Sequence, residues 1–279
     1  MTTKTARYLA PLALVCALGF GPFLVGATDA SDPGATVTPA TPTPEISQPA
    51  SDPAPSSPPS TLSTASAVPA PLTADGLDPN VVALAEHAIA RAGDRGLVDA
   101  ARTLTVIDYS LPSTEKRLWV FDLESRELLF HELVAHGKNT GDNLATRFSN
   151  TLDSKQTSLG LFKTANTYVG SNGYSLRLDG LDRGFNDRAR ERAIVIHGAP
   201  YVSAELARRQ GRIGRSWGCP ALDQKVSRQL IDTIAGDGLV YAYHPQDDFL
   251  RGSELLAGST VADALVSGIS GSTTALAGR

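Results

Sequence analysis

Cys219 and His197 are the two side chains of this chain best suited to making and breaking a covalent bond. Cys219 lies in Arg215-Ser216-Trp217-Gly218-Cys219-Pro220-Ala221, and the other cysteine, Cys16, sits in an N-terminal apolar run. A thiol becomes a nucleophile when ionised, and a neighbouring imidazole supplies the base that ionises it. The pair is the minimal machinery of covalent acyl transfer. His197 closes the apolar run Ala193-Ile194-Val195-Ile196, 22 residues before Cys219. One helix can bridge that separation and return the chain to the strand's end. Gly198 follows with a backbone carbonyl able to hold the imidazole tautomer, the orienting part a third group plays in catalytic triads. Gly218 leaves the backbone free for a tight turn, and N–H groups around such a turn suit an oxyanion. Arg208, Arg209, Arg212 and Arg215 crowd the approach, and Asp223 opens a helix just beyond. Cations and a helix N-terminus both favour the thiolate.

The elements that must position these residues are mostly strands. Asp78-Pro79 reads as an N-cap with proline at the first helical position, and Val81, Val82, Leu84, Ala85, Ala88 and Ile89 form the apolar stripe of a helix stopped by Gly93. Residues 103–109 are β-rich. Residues 117–123 and 127–134 flank Glu124-Ser125-Arg126 as a hairpin. Leu176-Arg177-Leu178 alternates, residues 193–197 form a buried run, and residues 239–243 close the set. Ser203 caps one helix ending at Gly211, and Asp223 caps another carrying Val226, Leu230 and Ile234. The order predicts a mostly β, α+β domain: a two-sheet or rolled-sheet architecture with a few short peripheral helices.

Four segments follow from composition. Residues 1–27 carry Lys4 and Arg7, then an uncharged stretch and Val25-Gly26-Ala27, the pattern of an export signal or, if retained, an anchor. Residues 28–75 hold eleven of the eighteen prolines, five acids and no Lys or Arg, the mark of an extended linker. Residues 76–249 form the folded domain. Residues 250–279, rich in Gly, Ser, Ala and Thr, are expected to be a disordered tail. The expected compartment is exported, periplasm or cell wall, where a solitary thiol has no internal disulfide partner. The formal net charge is −4 with no polybasic tract, so nucleic acid is excluded as a partner. A membrane enters only if the first segment stays attached.

Ile196-His197-Gly198 followed by Ser216-Trp217-Gly218-Cys219 resembles the catalytic signature of the L,D-transpeptidase (YkuD-type) family. It is most similar to the divergent murein branch with Pro-Ala after the cysteine. The likeness extends through residues 157–162, 174–181 and 184–186. The resemblance implies a largely β domain, acting as a monomer without metal or organic cofactor on peptidoglycan stem peptides. Cys219 would attack the carbonyl between the third residue, typically diaminopimelate, and the fourth, D-alanine. D-Alanine leaves, and an amine on a neighbouring stem takes the acyl group to give a 3→3 cross-link. His197 would be base and acid and Gly198 its carbonyl orienter. Ser216, Trp217, Gly218 and Arg215 would serve substrate binding and the oxyanion hole. The commoner family pattern has histidine where Trp217 stands, and Asn or Arg where Ala221 stands. The first departure leaves His197 as the base, and the second turns attention to Arg215 or Arg212 for a substrate carboxylate.

Three rival readings stand beside this one. Water as acceptor would make the same site an L,D-carboxypeptidase or endopeptidase. A non-catalytic wall-binding module would not need Cys219 at all. A zinc site could use His131-Glu132 and His136, but their spacing is one residue longer than the helical His-Glu-x-x-His pattern and the segment reads as strand.

Overall fold

In a computed structural model of the protein, residues 70–277 are described. The centre of the fold is a pair of parallel strands, β1 (Thr103–Asp108) and β9 (Gly238–Tyr243), buried along their whole length. β2 (Leu118–Asp122) and β3 (Leu128–Glu132) follow β1 as the expected hairpin, antiparallel to one another. A two-residue strand β4 (Val134–Ala135), the long β5 (Gly160–Gly170) and β6 (Gly173–Gly180), then β7 (Val195–Ala199) and β8 (Ala221–Asp223), complete the set.

All nine strands join one sheet in the order β3-β2-β1-β9-β5-β6-β7-β8-β4. Its first and last strands are neighbours in the chain, separated only by Leu133. A sheet whose two edges are one residue apart must curl until they meet, so the architecture is a rolled, nearly closed sheet rather than two stacked ones. Five helices accompany it among the described residues: α1 (Pro79–Asp94), α2 (Ala204–Gln210), α3 (Gln224–Ile234), α4 (Asp247–Gly252) and α5 (Thr260–Ala277).

The capping residues act as their types demand. Asp78 accepts from the Asn80 N–H at 2.8 Å with Pro79 at the first helical position, Ser203 accepts from Leu206, and Asp223 from Lys225. α1 buries Val81, Val82, Leu84, Ala85, Ala88 and Ala92, and α3 buries Leu230, Ile231 and Ile234.

Beyond Leu250 the chain departs from expectation. The segment expected to be a disordered tail folds as the end of α4, a turn, and α5. Phe249, Leu250, Leu255, Leu256, Ala262 and Val266 are buried in the main core. Ser253 Oγ donates to Asp182 at 2.7 Å, Arg95 pairs with Glu254 at 2.6 Å, and Phe185 meets Phe249 edge-on at 5.3 Å. Small polar residues between sparse apolar ones read as disorder in sequence, but Leu255, Leu256, Ala262 and Val266 find a core to cover. The end of the expected linker also belongs to the fold: Leu72 is buried, and the Asp75 carbonyl accepts from the Trp119 indole N–H. The rest of the expected linker and the expected export segment lie outside the described residues.

Candidate active site

One βαβ unit holds both candidate residues. β7 runs out to His197 and Gly198, α2 crosses over, and β8 returns parallel to β7 with His197 opposite Ala221. Cys219 stands two residues before Ala221, so it arrives beside the β7 segment that leads to His197. The helix between the two residues is the one that their separation calls for.

His197 lies between β6 and β8, facing Ser175 on one side in register and Ala221 on the other, and is 5 % exposed. Its Nδ1 stands 3.1 Å from the Gly198 carbonyl. A carbonyl can only accept, so Nδ1 carries the proton and Nε2 is the free base. Burial holds the imidazole below its ordinary pKa, with the Gly198 carbonyl pulling the other way. The ring is therefore neutral near pH 7. Gly198 also packs closely under α3: a Cβ there would come within 2.3 Å of Ser227 Oγ, so Ser227 would have to move.

Cys219 is 8 % exposed. Burial pushes its thiol above the ordinary range, opposed by backbone N–H groups of Val195 and Cys219 and by the Arg192 guanidinium. The resting thiol donates to the Ala193 carbonyl, 3.7 Å away, rather than to the His197 imidazole. The resting pair is thus thiol and neutral imidazole, not an ion pair.

The turn before Cys219 is stitched by Ser216, whose Oγ donates to the Cys219 carbonyl at 2.6 Å and accepts from the Gly218 N–H at 3.1 Å. The expectation that Gly218 lends an oxyanion N–H therefore meets a turn in which that N–H is already engaged. What Gly218 supplies is its backbone: φ is +126°, and a Cβ would stand 2.8 Å from the Gln156 carbonyl. Trp217 projects outward, 70 % exposed.

The arginines expected at the site divide sharply. Arg215 donates to the Gly141 and Lys138 carbonyls and pairs with Asp142, which Arg212 also holds at 3.0 Å. Both pin the 138–142 loop instead of facing the sulfur. Arg209 pairs with Glu205 along α2, and Arg208 lines a separate apolar hollow with Leu133 and Ala207. The cation at the thiol is Arg192, which no motif marked. Its Nη1 donates to the Ser149 carbonyl and Ser158 Oγ, and its Nη2 to Ser154 Oγ and the Gln156 carbonyl. It sits immediately before the β7 run, and only the register of that strand reveals its use.

Beneath the turn lies a buried polar floor that was also missed. Arg117 is fully buried with no carboxylate in ion-pair distance among the described residues; its guanidinium donates to the Leu111 and Val134 carbonyls and to His136 Nδ1, and stacks over Tyr109 at 5.1 Å. Burial and then the Arg117 charge bring the His136 imidazole down to about 4. The His136 carbonyl accepts from Ser216 N–H, tying this floor to the cysteine turn. His131, by contrast, stacks on Trp119 at 5.0 Å on β3. Among the described residues no three His, Cys, Asp or Glu side chains gather as a metal site. Burial pushes the Tyr201 hydroxyl up to about 12, and an ionised Cys219 would push it the same way. Among the described residues no helix is long and apolar enough to cross a membrane.

The family model described as the L,D-transpeptidase catalytic domain matches residues 73–243. Solved structures resembling the chain include an L,D-transpeptidase from Mycobacterium smegmatis, 15 % identical over 52 % of this chain and 59 % of that one, with TM-score 0.32. An L,D-transpeptidase from Stackebrandtia nassauensis is 16 % identical over 59 % and 66 %, with TM-score 0.30. Bdellovibrio bacteriovorus Bd1075 is 15 % identical over 63 % and 56 %, with TM-score 0.33. The chain thus spans about three fifths of the length of the structures it resembles. No curated protein sequence matches it.

Proposed function

The chain belongs to the L,D-transpeptidase catalytic-domain family, and from that premise we propose that it is an exported, cysteine-dependent murein L,D-transpeptidase acting on tetrapeptide stems. The observation that carries this reading is the parallel pairing of β7 with β8, which brings a His197 already fixed with Nε2 free beside the strand of Cys219.

The steps follow from the resting state. Substrate entry draws the thiol from the Ala193 carbonyl toward His197, and the S–H proton passes to Nε2. The sulfur forms a bond to the carbonyl carbon of the third residue, and the negative charge moves to oxygen. Gly218 being engaged, the Cys219 N–H is the donor the turn still offers to that oxygen. When the intermediate collapses the C–N bond breaks, and the imidazolium returns its proton to the departing D-alanine amine. A side-chain amine of a second stem then attacks the thioester, loses its proton to His197, and the thiol is restored with a 3→3 cross-link formed. The neutral resting pair keeps the sulfur protonated until a peptide excludes water, which limits wasteful oxidation.

The test is incubation with tetrapeptide muropeptides, with mass spectrometry of products and of Cys219. A dimer lacking one D-alanine, with a transient adduct on Cys219, is the expected result. Tripeptide stems without dimers would make water the acceptor and the protein an L,D-carboxypeptidase. Absence of any Cys219 adduct, with carbapenem as well as with peptide, would leave a non-catalytic wall-binding module.

A further inference from the structure

Trp217 is exposed although it stands two residues from a buried sulfur, and what surrounds it gives that exposure a use. Two ammonium groups lie over its ring, Lys155 Nζ at 4.6 Å and Lys138 Nζ at 5.8 Å from the centroid. They come from different segments, and like charges brought to one spot repel. The negative face of the indole offsets that repulsion, because cations are drawn to it. Among the described residues neither lysine has a carboxylate within ion-pair distance, whereas Lys116 pairs with Glu132.

Both lysines are held by backbone contacts tied to the cysteine turn. The Lys138 N–H donates to the Ser216 carbonyl at 2.9 Å, and the Lys155 carbonyl accepts from the Asn139 N–H at 3.1 Å. Lys155 holds φ +54°, and so does Ala193, while Asp153 holds +56°. Non-glycine residues keep that conformation only where their surroundings over-determine it, and such strain gathers at functional sites. All three line a single cavity of about 280 Å³ with Trp217 and Arg192. Its Ala193 wall is the carbonyl that holds the Cys219 thiol. Of the acidic groups on its rim, Glu191 is taken by Arg188, leaving Asp153 against two lysines. Both terminal nitrogens of Arg192 are already engaged by four protein oxygens.

We propose that Trp217, Lys138 and Lys155 form a carboxylate-binding subsite for the C-terminal carboxylate on the leaving side of the scissile bond. The assignment to the leaving side rests on the reading that Cys219 attacks the penultimate residue of the stem. In that reading the terminal carboxylate lies one residue beyond the attacked carbonyl, roughly 3.5 Å of chain, so its cation must stand close to the sulfur. Arg212 and Arg215 are committed to Asp142, whereas Lys155 on the cavity wall and Lys138 over the Trp217 ring have no ion-pair partner among the described residues. The indole gathers them over one ring. The consequence is selectivity for a peptide that ends one residue after the bond to be broken.

The experiment uses the full chain carrying Cys219→Ala, so that binding is read without turnover. A tetrapeptide ending in diaminopimelate–D-alanine and its C-terminal amide are titrated by calorimetry, with Trp217 fluorescence as a second readout. The free acid should bind at least about tenfold more tightly, with a preference that shrinks as salt rises. Adding Lys155→Gln or Lys138→Gln should each cut the preference about threefold to fivefold, and both together should erase it, with the amide's affinity unmoved. Equal affinity for acid and amide, parallel loss of both in the lysine variants, or no binding of either peptide would overturn the subsite. Acylation of the native Cys219, read separately by mass spectrometry, keeps the two readings apart. A retained acid preference without acylation sinks the transpeptidase reading and keeps the subsite; acylation without preference does the reverse.

Discussion

The cysteine turn and the C-terminal strap of α4 and α5 are built from opposite materials. The strap is regular helix and buried apolar side chain, Phe249, Leu250, Leu255, Leu256, Ala262 and Val266. The turn and the loops around it carry three of the four non-glycine residues with positive φ among the described residues, an exposed indole, and a web of hydrogen bonds from Arg192 and Ser216. Apolar burial stabilises without dictating any one geometry, whereas hydrogen-bonded strain dictates geometry and contributes little net stability. Stability and activity should therefore separate between the two regions.

The largest expected effect lies at the turn. Cys219→Ala should lower acyl transfer by at least about 10³-fold while shifting the thermal midpoint by only a few degrees, measured by product analysis and calorimetry on one preparation. Comparable loss of stability would blur the division between the regions. Next comes Leu255→Ala in the strap, where a fully buried leucine is truncated. It should cost about 2–4 kcal/mol in urea unfolding and leave the turnover of the folded fraction unchanged. A smaller effect is expected from Arg192→Met, which strands four acceptors of the 149–158 loop. Turnover should fall roughly tenfold through misplacement of the loop and cysteine turn, with a smaller drop in urea midpoint than Leu255→Ala produces.

The finest test uses pH, because a buried ionisable group beneath each region drifts the opposite way. Asp182, which accepts from Ser253 of the strap, is raised by burial to about 6. Its folded state holds the proton more tightly than the unfolded chain does. That contribution is fully present below about pH 4 and is lost as pH rises through about 6. His136 beneath the turn is lowered by burial to about 4, so its contribution is complete above about pH 6.5 and is lost as pH falls through about 4. Asp182→Asn should flatten the alkaline side of the stability profile and His136→Gln the acid side, read as urea midpoints at pH 4, 5 and 7. Both variants flattening the same side would contradict the opposed placement of the two groups.

Much of the site was legible because its signals are local. Asp78, Ser203 and Asp223 cap the helices their types announce, since a cap needs only two or three residues of context. His197 and Cys219 stand out by residue type and by a spacing that one helix fills. The partner of Arg215 was not legible because a guanidinium's partner is chosen among distant segments: Asp142 is 73 positions away in sequence and adjacent in space. Lys138 and Lys155 look like ordinary surface lysines until the fold sets both over one ring. The strap was misread because its apolar residues are few, and their value depends on a sheet surface that composition does not display.

By itself the amino-acid order determined which side chains hold reactive chemistry, which stretches alternate as strands, and where helices begin. These depend on bonded neighbours and on period, both written along the chain. Only the tertiary structure decided that the sheet rolls until β3 meets β4, that Arg192 rather than Arg215 faces the thiol, and that the resting sulfur donates to Ala193. Those outcomes depend on which distant groups compete for the same buried donor, acceptor or charge, and the competition is settled only when the strands take their register.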